Sequence, residues 1–428
     1  FILNLTIVLI FSGNNFYREF FGTFGRATGY VAYVALSLIF LASVAISHEF
    51  FLKKLANVVL LGGILSVMYG ILQSFKIDPI DWVNPYSPVV GFLGNPNFQS
   101  SFVGFSGIVA FSYLLENNLK VGKRFVLVMY LVASAYVIYT TDSQQGFLVL
   151  AGGIGIVVLF RIKYSRFSAV SIPMTGLAIV VVGIVILGTL NKGPLSSLLY
   201  KLSVTYRGDY WRAGWKMTLE HPFLGIGLDS YGDWYRRSRT VEATLRRGPE
   251  IVSNAAHNVL LDLSSNGGFP LLVIYLLLMG LVLRAIIRIT KRGSTFNPAV
   301  AGLIALWVAY QAQSIISLNQ LGLAVWGWLI SGAIIGYEIN TRSVEQVQSE
   351  KPIKQKAKPA IGITTTEILP SSLLGLFVGF VIGCVLGMPP VIASTKYLSA
   401  LKSQDATKIE QIAFLWPQEP ARVGQIVG

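Results

Sequence analysis

The stretch GFLVLAGGIGIVVLFRIKYSR, residues 146–166, is an uncharged run of fifteen residues followed by Arg161, Lys163 and Arg166. Such a run, closed by a basic cluster, reads as a helix that crosses a bilayer and ends on the side where basic loops accumulate. Comparable runs lie near 1–12, 29–47, 55–72, 98–115, 125–140, 169–190, 269–289, 299–317, 321–337 and 369–388, making eleven. Several are shorter than the ~20 residues of an upright span, so flanking polar residues must complete them. The chain begins at Phe1 rather than Met, so the first span is read as truncated and the natural N-terminus as missing. Every even-numbered span is followed by a basic cluster: Lys53 and Lys54; Lys120, Lys123 and Arg124; Arg161, Lys163 and Arg166; Arg288, Lys291 and Arg292; Lys351, Lys354, Lys356 and Lys358. Those loops are assigned to the cytoplasmic side.

The expected fold is therefore all-α, a polytopic membrane helical bundle of about eleven spans. Composition agrees: of 428 residues 53% are hydrophobic and only 13% charged, about half the charge of a soluble domain. Mean hydropathy is +0.62. The net charge of +14 would point to nucleic acid in a soluble protein; here much of it sits in short loops and serves topology. The one cysteine, Cys384, excludes an intrachain disulfide and a thiolate cluster. No His or acidic pair has metal-ligand spacing with convergent partners, so neither metal nor cofactor is expected.

Residues 1–340 read as a membrane-embedded core, 341–368 as a cytoplasmic linker containing KPIKQKAKP, and 369–388 as the last span. The tail 389–428 has two short helical patterns, the second stopping at Pro417, and reads as the start of a helical-repeat domain. By alternation, 13–28, 73–97, 141–145, 191–268, 318–320 and the tail from 389 face the outer side. The long loop 191–268 stands out. Its first 66 residues, to Ala256, carry ten Lys/Arg against six Asp/Glu on a face where basic residues are scarce. A basic, aromatic loop there suits an anionic substrate presented from the lipid.

Within that loop, YRGDYWRAGWKMTLE (206–220) has Tyr210, Trp211, Gly214, Trp215 and Thr218 at helical spacing. Asp209 and Arg212, and Lys216 and Glu220, are spaced to pair along one helix. An interfacial amphipathic helix is expected, with Arg207 one turn from Trp211 and braced beside its indole. Arginine there can grip a phosphate with two parallel hydrogen bonds. Arg212, Arg236, Arg237, Arg239, Arg246 and Arg247 can equally be contacts to lipid phosphates. Gly225-x-Gly227 is read as a turn. In SNAAHNVLLDLSSNGGFP (253–270), Ser253 or Asn254 can cap a helix that includes His257 and breaks at Gly267-Gly268. His257 is the candidate general base, because imidazole exchanges protons near neutrality. Arg26 lies at the outer mouth of the second span, and Asn95 and Asn97 occupy the turn GFLGNPNF, where they can orient a sugar or cap the next helix.

RGDYWRAGWKMTLEHPFLGIGLDSYG, NAAHNVLLDLSSNGGFPLL, GFLGNPNF and TTDSQQGFLVL together resemble the O-antigen ligase/polymerase superfamily, over about residues 15–340. The resemblance implies metal-independent, inverting transfer of a glycan from an undecaprenyl diphosphate carrier. The acceptor would be a glycolipid, a growing glycan (polymerase) or a protein hydroxyl (O-oligosaccharyltransferase). It also implies a bacterial inner membrane location, with the outer side periplasmic. Carried over, Arg207 holds the diphosphate and His257 activates the acceptor hydroxyl, with Asn258 or Gln144 positioning sugar or phosphate. The chain departs from the family at Ser143-Gln144-Gln145-Gly146, where relatives have Ser-Arg-Gly. Glutamine cannot neutralise a phosphate, so Arg26 or Arg212 is expected to supply the second charge. The rival is an inorganic-carbon-type carrier, against which stand spans with almost no charge at their centres and no visible repeat.

Overall fold

The computed structural model describes residues 1–349, apart from 24, 79, 81–86 and 88, and residues 370–415, apart from 404 and 414. In chain order the helices are α1 (Ile2–Phe11), α2 (Phe16–Phe21), α3 (Tyr30–Ile46), α4 (Glu49–Ser74), α5 (Pro96–Leu114) and α6 (Val121–Thr140). Next come α7 (Gln144–Lys163), α8 (Ser171–Thr189), α9 (Ser196–Leu199), α10 (Leu202–Glu220), α11 (Tyr231–Ser238) and α12 (Val241–Arg247). Then follow α13 (Val259–Arg292), α14 (Pro298–Ser314), α15 (Leu321–Ser349), α16 (Pro370–Ser403) and α17 (Ala406–Ala413). Among the described residues there is no strand, as a chain that must satisfy its own backbone in lipid requires of anything but a closed barrel.

All eleven apolar runs are helical. Among the described residues seven helices are long and apolar enough to cross a bilayer: α4, α6, α7, α8, α13, α15 and α16. The other four, α1, α3, α5 and α14, are shorter or richer in small and polar residues. Burial varies widely among these helices. On α5, Ser100, Ser101, Phe105, Ser106, Ile108 and Val109 have no exposed surface, because α4, α6, α7 and α14 enclose it. By contrast α8 and α6 present Leu177, Ile179, Val180, Phe125 and Val126 outward, a surface that only lipid tolerates at this extent. The chain is a multi-pass membrane protein.

Close approach relies on small residues rather than on apolar drive, which lipid does not supply. Where α15 meets α3, a Cβ on Gly332 would lie 2.3 Å from the Phe40 carbonyl oxygen, and one on Gly336 2.3 Å from that of Val44. Ser43 Oγ donates to the Leu329 carbonyl at 2.7 Å across the same seam.

Two boundaries differ from the sequence reading. Helix α15 continues nine residues past 340, so the first part of the expected linker is helical; residues 350–369 lie outside the described residues. Helix α16 runs unbroken through Met388-Pro389-Pro390 to Ser403, joining the last span to the first helical pattern of the tail. Pro389 and Pro390 withhold two backbone donors from the interior of this helix, which continues past them all the same. Pro417 lies outside the described residues.

Candidate active site

The loop after α8 is built around α10. Asp209, Tyr210, Ala213, Gly214, Met217 and Thr218 form its buried face, which packs against the first turns of α13 through a Thr218–Ser264 hydroxyl pair at 2.9 Å. The expected pairs are present: Arg212–Asp209 at 3.6 Å and Lys216–Glu220 at 3.8 Å. Trp215 is turned outward against Phe269, as an interfacial indole should be.

Beyond α10, Pro222–Gly227 docks on the kink of α13. Gly268 has φ +71, the left-handed region that glycine alone enters freely, and a Cβ there would lie 2.6 Å from Pro222 O and Phe223 C. Phe269 N donates to Pro222 O at 2.8 Å, and Ile226 N to Ser265 O at 2.8 Å. The turn and the kink are one interlocked unit, and together they set where α13 begins. Asn14 Nδ2 joins the N-terminal loop to it by donating to Ile226 O at 2.7 Å.

That start is where His257 lies, though not as the sequence suggested. Ser253 and Asn254 do not cap the helix. Asn258 does, its Oδ1 accepting from Leu260 N at 3.0 Å and Leu261 N at 3.1 Å. His257 precedes the helix with φ +53, a conformation costly for a side chain with Cβ and kept only where surroundings impose it. Its ring lies against Tyr210, centroids 5.4 Å apart. Burial pushes its pKa down to about 3, and the guanidiniums of Arg26, Arg207 and Arg247 push it the same way. Three cations from three parts of the chain therefore act on one imidazole.

Arg26, Arg207 and Arg247 form no close ion pair among the described residues, although Arg26 acts on the buried carboxyls of Asp229 and Asp262. Burial lowers the Arg207 pKa, which still leaves it charged. Arg247 lies over the Tyr206 ring at 4.4 Å and donates to the Tyr210 hydroxyl. The neighbouring arginines are committed elsewhere. Arg246 and Arg212 share the buried carboxylate of Asp209, Arg18 is bound to Asp233, and Arg239 donates to the carbonyls of Gly248, Pro249 and Ile251.

Of the residues read from sequence, Arg207, Arg26 and His257 are brought together. Asn258 adjoins them, but its carboxamide oxygen is occupied as the helix cap. Arg212 is 63% exposed and pairs with Asp209 at 3.6 Å. Trp211 does not brace Arg207; the cation–aromatic pairs of this helix run from Arg247 to Tyr206 and Tyr210. The Trp211 indole Nε1 is buried with no partner among the described residues. Asn95, Asn97 and Gln144 have hydrogen-bond partners of their own. Asn95 caps α5, Asn97 Oδ1 accepts from Ser143 Oγ at 2.8 Å, and Gln144 Nε2 donates to Leu198 O at 3.2 Å. Arg247 and Tyr210 were missed as site residues. Among the described residues no cluster of three or more His, Cys, Asp or Glu could hold a metal ion.

The fold and this site define a multi-pass helical membrane protein with a histidine set among unpaired arginines in a large interhelical loop. Residues 129–276, from α6 through the loop to α13, match the family model described as O-antigen ligase, a match that supports membership of the O-antigen ligase superfamily. The matched stretch holds Arg207, Arg247 and His257 and leaves out Arg26. No curated protein matches the chain significantly. At the level of the family, the match supports glycan transfer by a glycosyltransferase-like enzyme.

Proposed function

We propose that the protein transfers a glycan from undecaprenyl diphosphate to an acceptor hydroxyl, in the manner of an O-antigen ligase, on the periplasmic face of a bacterial inner membrane. The convergence of Arg26, Arg207 and Arg247 on His257, with Arg207 and Arg247 in no ion pair among the described residues, supports the reading. A diphosphate is the complementary ligand, and its charge grows as the glycosyl bond breaks. Arg207 holds it, while Arg26 and Arg247 supply what Gln144 cannot. The acceptor oxygen attacks the anomeric carbon and its proton passes to the His257 imidazole, whose basicity rises once the bound diphosphate offsets the guanidiniums that, with burial, hold its pKa near 3. The bond to the diphosphate oxygen breaks, and the leaving group keeps the electron pair against the guanidiniums. Attack opposite the leaving group inverts the anomeric centre.

Donor binding tests the assignment. Purified Arg207→Ala protein with wild-type thermal stability is expected to bind an undecaprenyl diphosphate-linked glycan about 10- to 100-fold more weakly, the loss of a charge-assisted hydrogen-bonding pair. Unchanged binding would remove Arg207 from the diphosphate site.

A further inference from the structure

A cavity of about 820 Å³ opens far from His257, bounded by α4, α6, the end of α5 and the turn into α14. That turn is separated from His257 by the whole of α13, about 36 Å of helix beyond the Gly268 kink. The cavity serves no step proposed above, and its volume falls in the ~300–1,000 Å³ range of small-ligand sites. We propose that it is a binding site for an anionic phospholipid of the adjoining leaflet, the phosphate between Lys53 and Lys123 and the acyl chains along α4 and α6.

The polar lining includes Lys53, Asn57, Lys123, Asn297 and Glu116. Lys53 pairs with Glu49 at 2.9 Å, but both are more than half exposed, so the pair yields readily to a phosphate. Lys123 has no ion pair or hydrogen bond among the described residues. Lys120 gives α6 no side-chain cap, so the first-turn amides beside Gly122 add positive potential at the same wall. Lys54, Lys120 and Arg124 lie beside the lining residues in sequence, and Arg161 lies over the ring of the lining residue Phe296, against Glu49 and Glu116, so the surroundings favour a ligand of net negative charge.

The approach to the cavity is apolar. Leu60, Val126 and Leu127 line it, and Val58, Leu61 and Leu65 on α4 and Phe125, Met129 and Val132 on α6 carry exposed apolar surface onward along both helices. A soluble anion has no use for that surface; a lipid with a phosphate at one end and acyl chains at the other matches both parts.

The test is thermal unfolding of the purified full chain in detergent, titrated with dioctanoyl phosphatidylglycerol, dioctanoyl phosphatidylcholine or inorganic phosphate. Two variants accompany wild type. The Lys53→Gln/Lys123→Gln double variant removes the charge. Gly122→Trp fills the space, since a Cβ at Gly122 meets no atom within 4 Å. Saturable stabilisation of wild type by phosphatidylglycerol alone is expected, roughly 30-fold weaker in the double lysine variant and abolished in Gly122→Trp. Equal stabilisation by phosphatidylcholine or by inorganic phosphate, or a phosphatidylglycerol effect unchanged in the variants, would overturn the proposal. If Gly122→Trp is itself less stable, the lysine pair decides.

Discussion

Replacing His257 by glutamine should remove part of the acid sensitivity of the folded protein. In the unfolded chain an imidazole takes its proton near pH 6.5, whereas the folded ring takes it only near pH 3. Between these values the unfolded state binds a proton that the folded state refuses. Stability is thus lost as pH falls through 6.5, and the loss is complete near pH 3. The full difference corresponds to about 5 kcal/mol, and at pH 4.5 about 3 kcal/mol of it has been lost. Thermal unfolding in one detergent at pH 7.5 and 4.5 measures this: wild type should lose about 3 kcal/mol more than His257→Gln over that interval. Inorganic diphosphate should shrink the wild-type loss, because an anion among Arg26, Arg207 and Arg247 relieves the repulsion felt by an imidazolium. Parallel acid losses in wild type and variant would refute both the buried ring and the cation cluster around it.

Two further outcomes separate the roles assigned to neighbouring residues. Arg247→Gln should weaken binding of a lipid diphosphate about 10- to 100-fold, measured by titration, while Arg212→Gln, whose charge is already spent on Asp209, should leave it within about twofold. Gly268→Val should cost about 3 kcal/mol of thermal stability, since it combines a φ of +71 with a Cβ 2.6 Å from Pro222 O; a variant as stable as wild type would mean that the turn and kink do not interlock.

Hydropathy was enough to read the helices of the bundle, because a bilayer imposes length and polarity on each span separately. All eleven apolar runs became helices. The charge pairs of α10 were legible for the same reason, each being set within one turn of one helix. What escaped depends on approach between distant segments. Arg247 reaches Tyr210 across 37 residues, and Arg26 acts on His257 from the opposite part of the chain. Nothing in the doublet Arg246-Arg247 says that the first arginine meets Asp209 and the second stays unpaired. The excess of four basic residues in the loop was the available signal: some arginine had to lack a carboxylate. The cap of α13 was misplaced because Ser253, Asn254 and Asn258 are all competent caps, and the docking of Pro222–Gly227 on the Gly268 kink selects the last.

The most direct measurement is glycan transfer by purified protein from an undecaprenyl diphosphate-linked oligosaccharide, offered lipid, glycan and protein acceptors, with wild type beside His257→Ala. Transfer by wild type that falls about 100- to 10,000-fold in the variant, with donor binding retained, is the expected result for a general base. Equal rates would remove His257 from the chemistry, and no transfer by wild type to any acceptor would contradict the transferase reading itself.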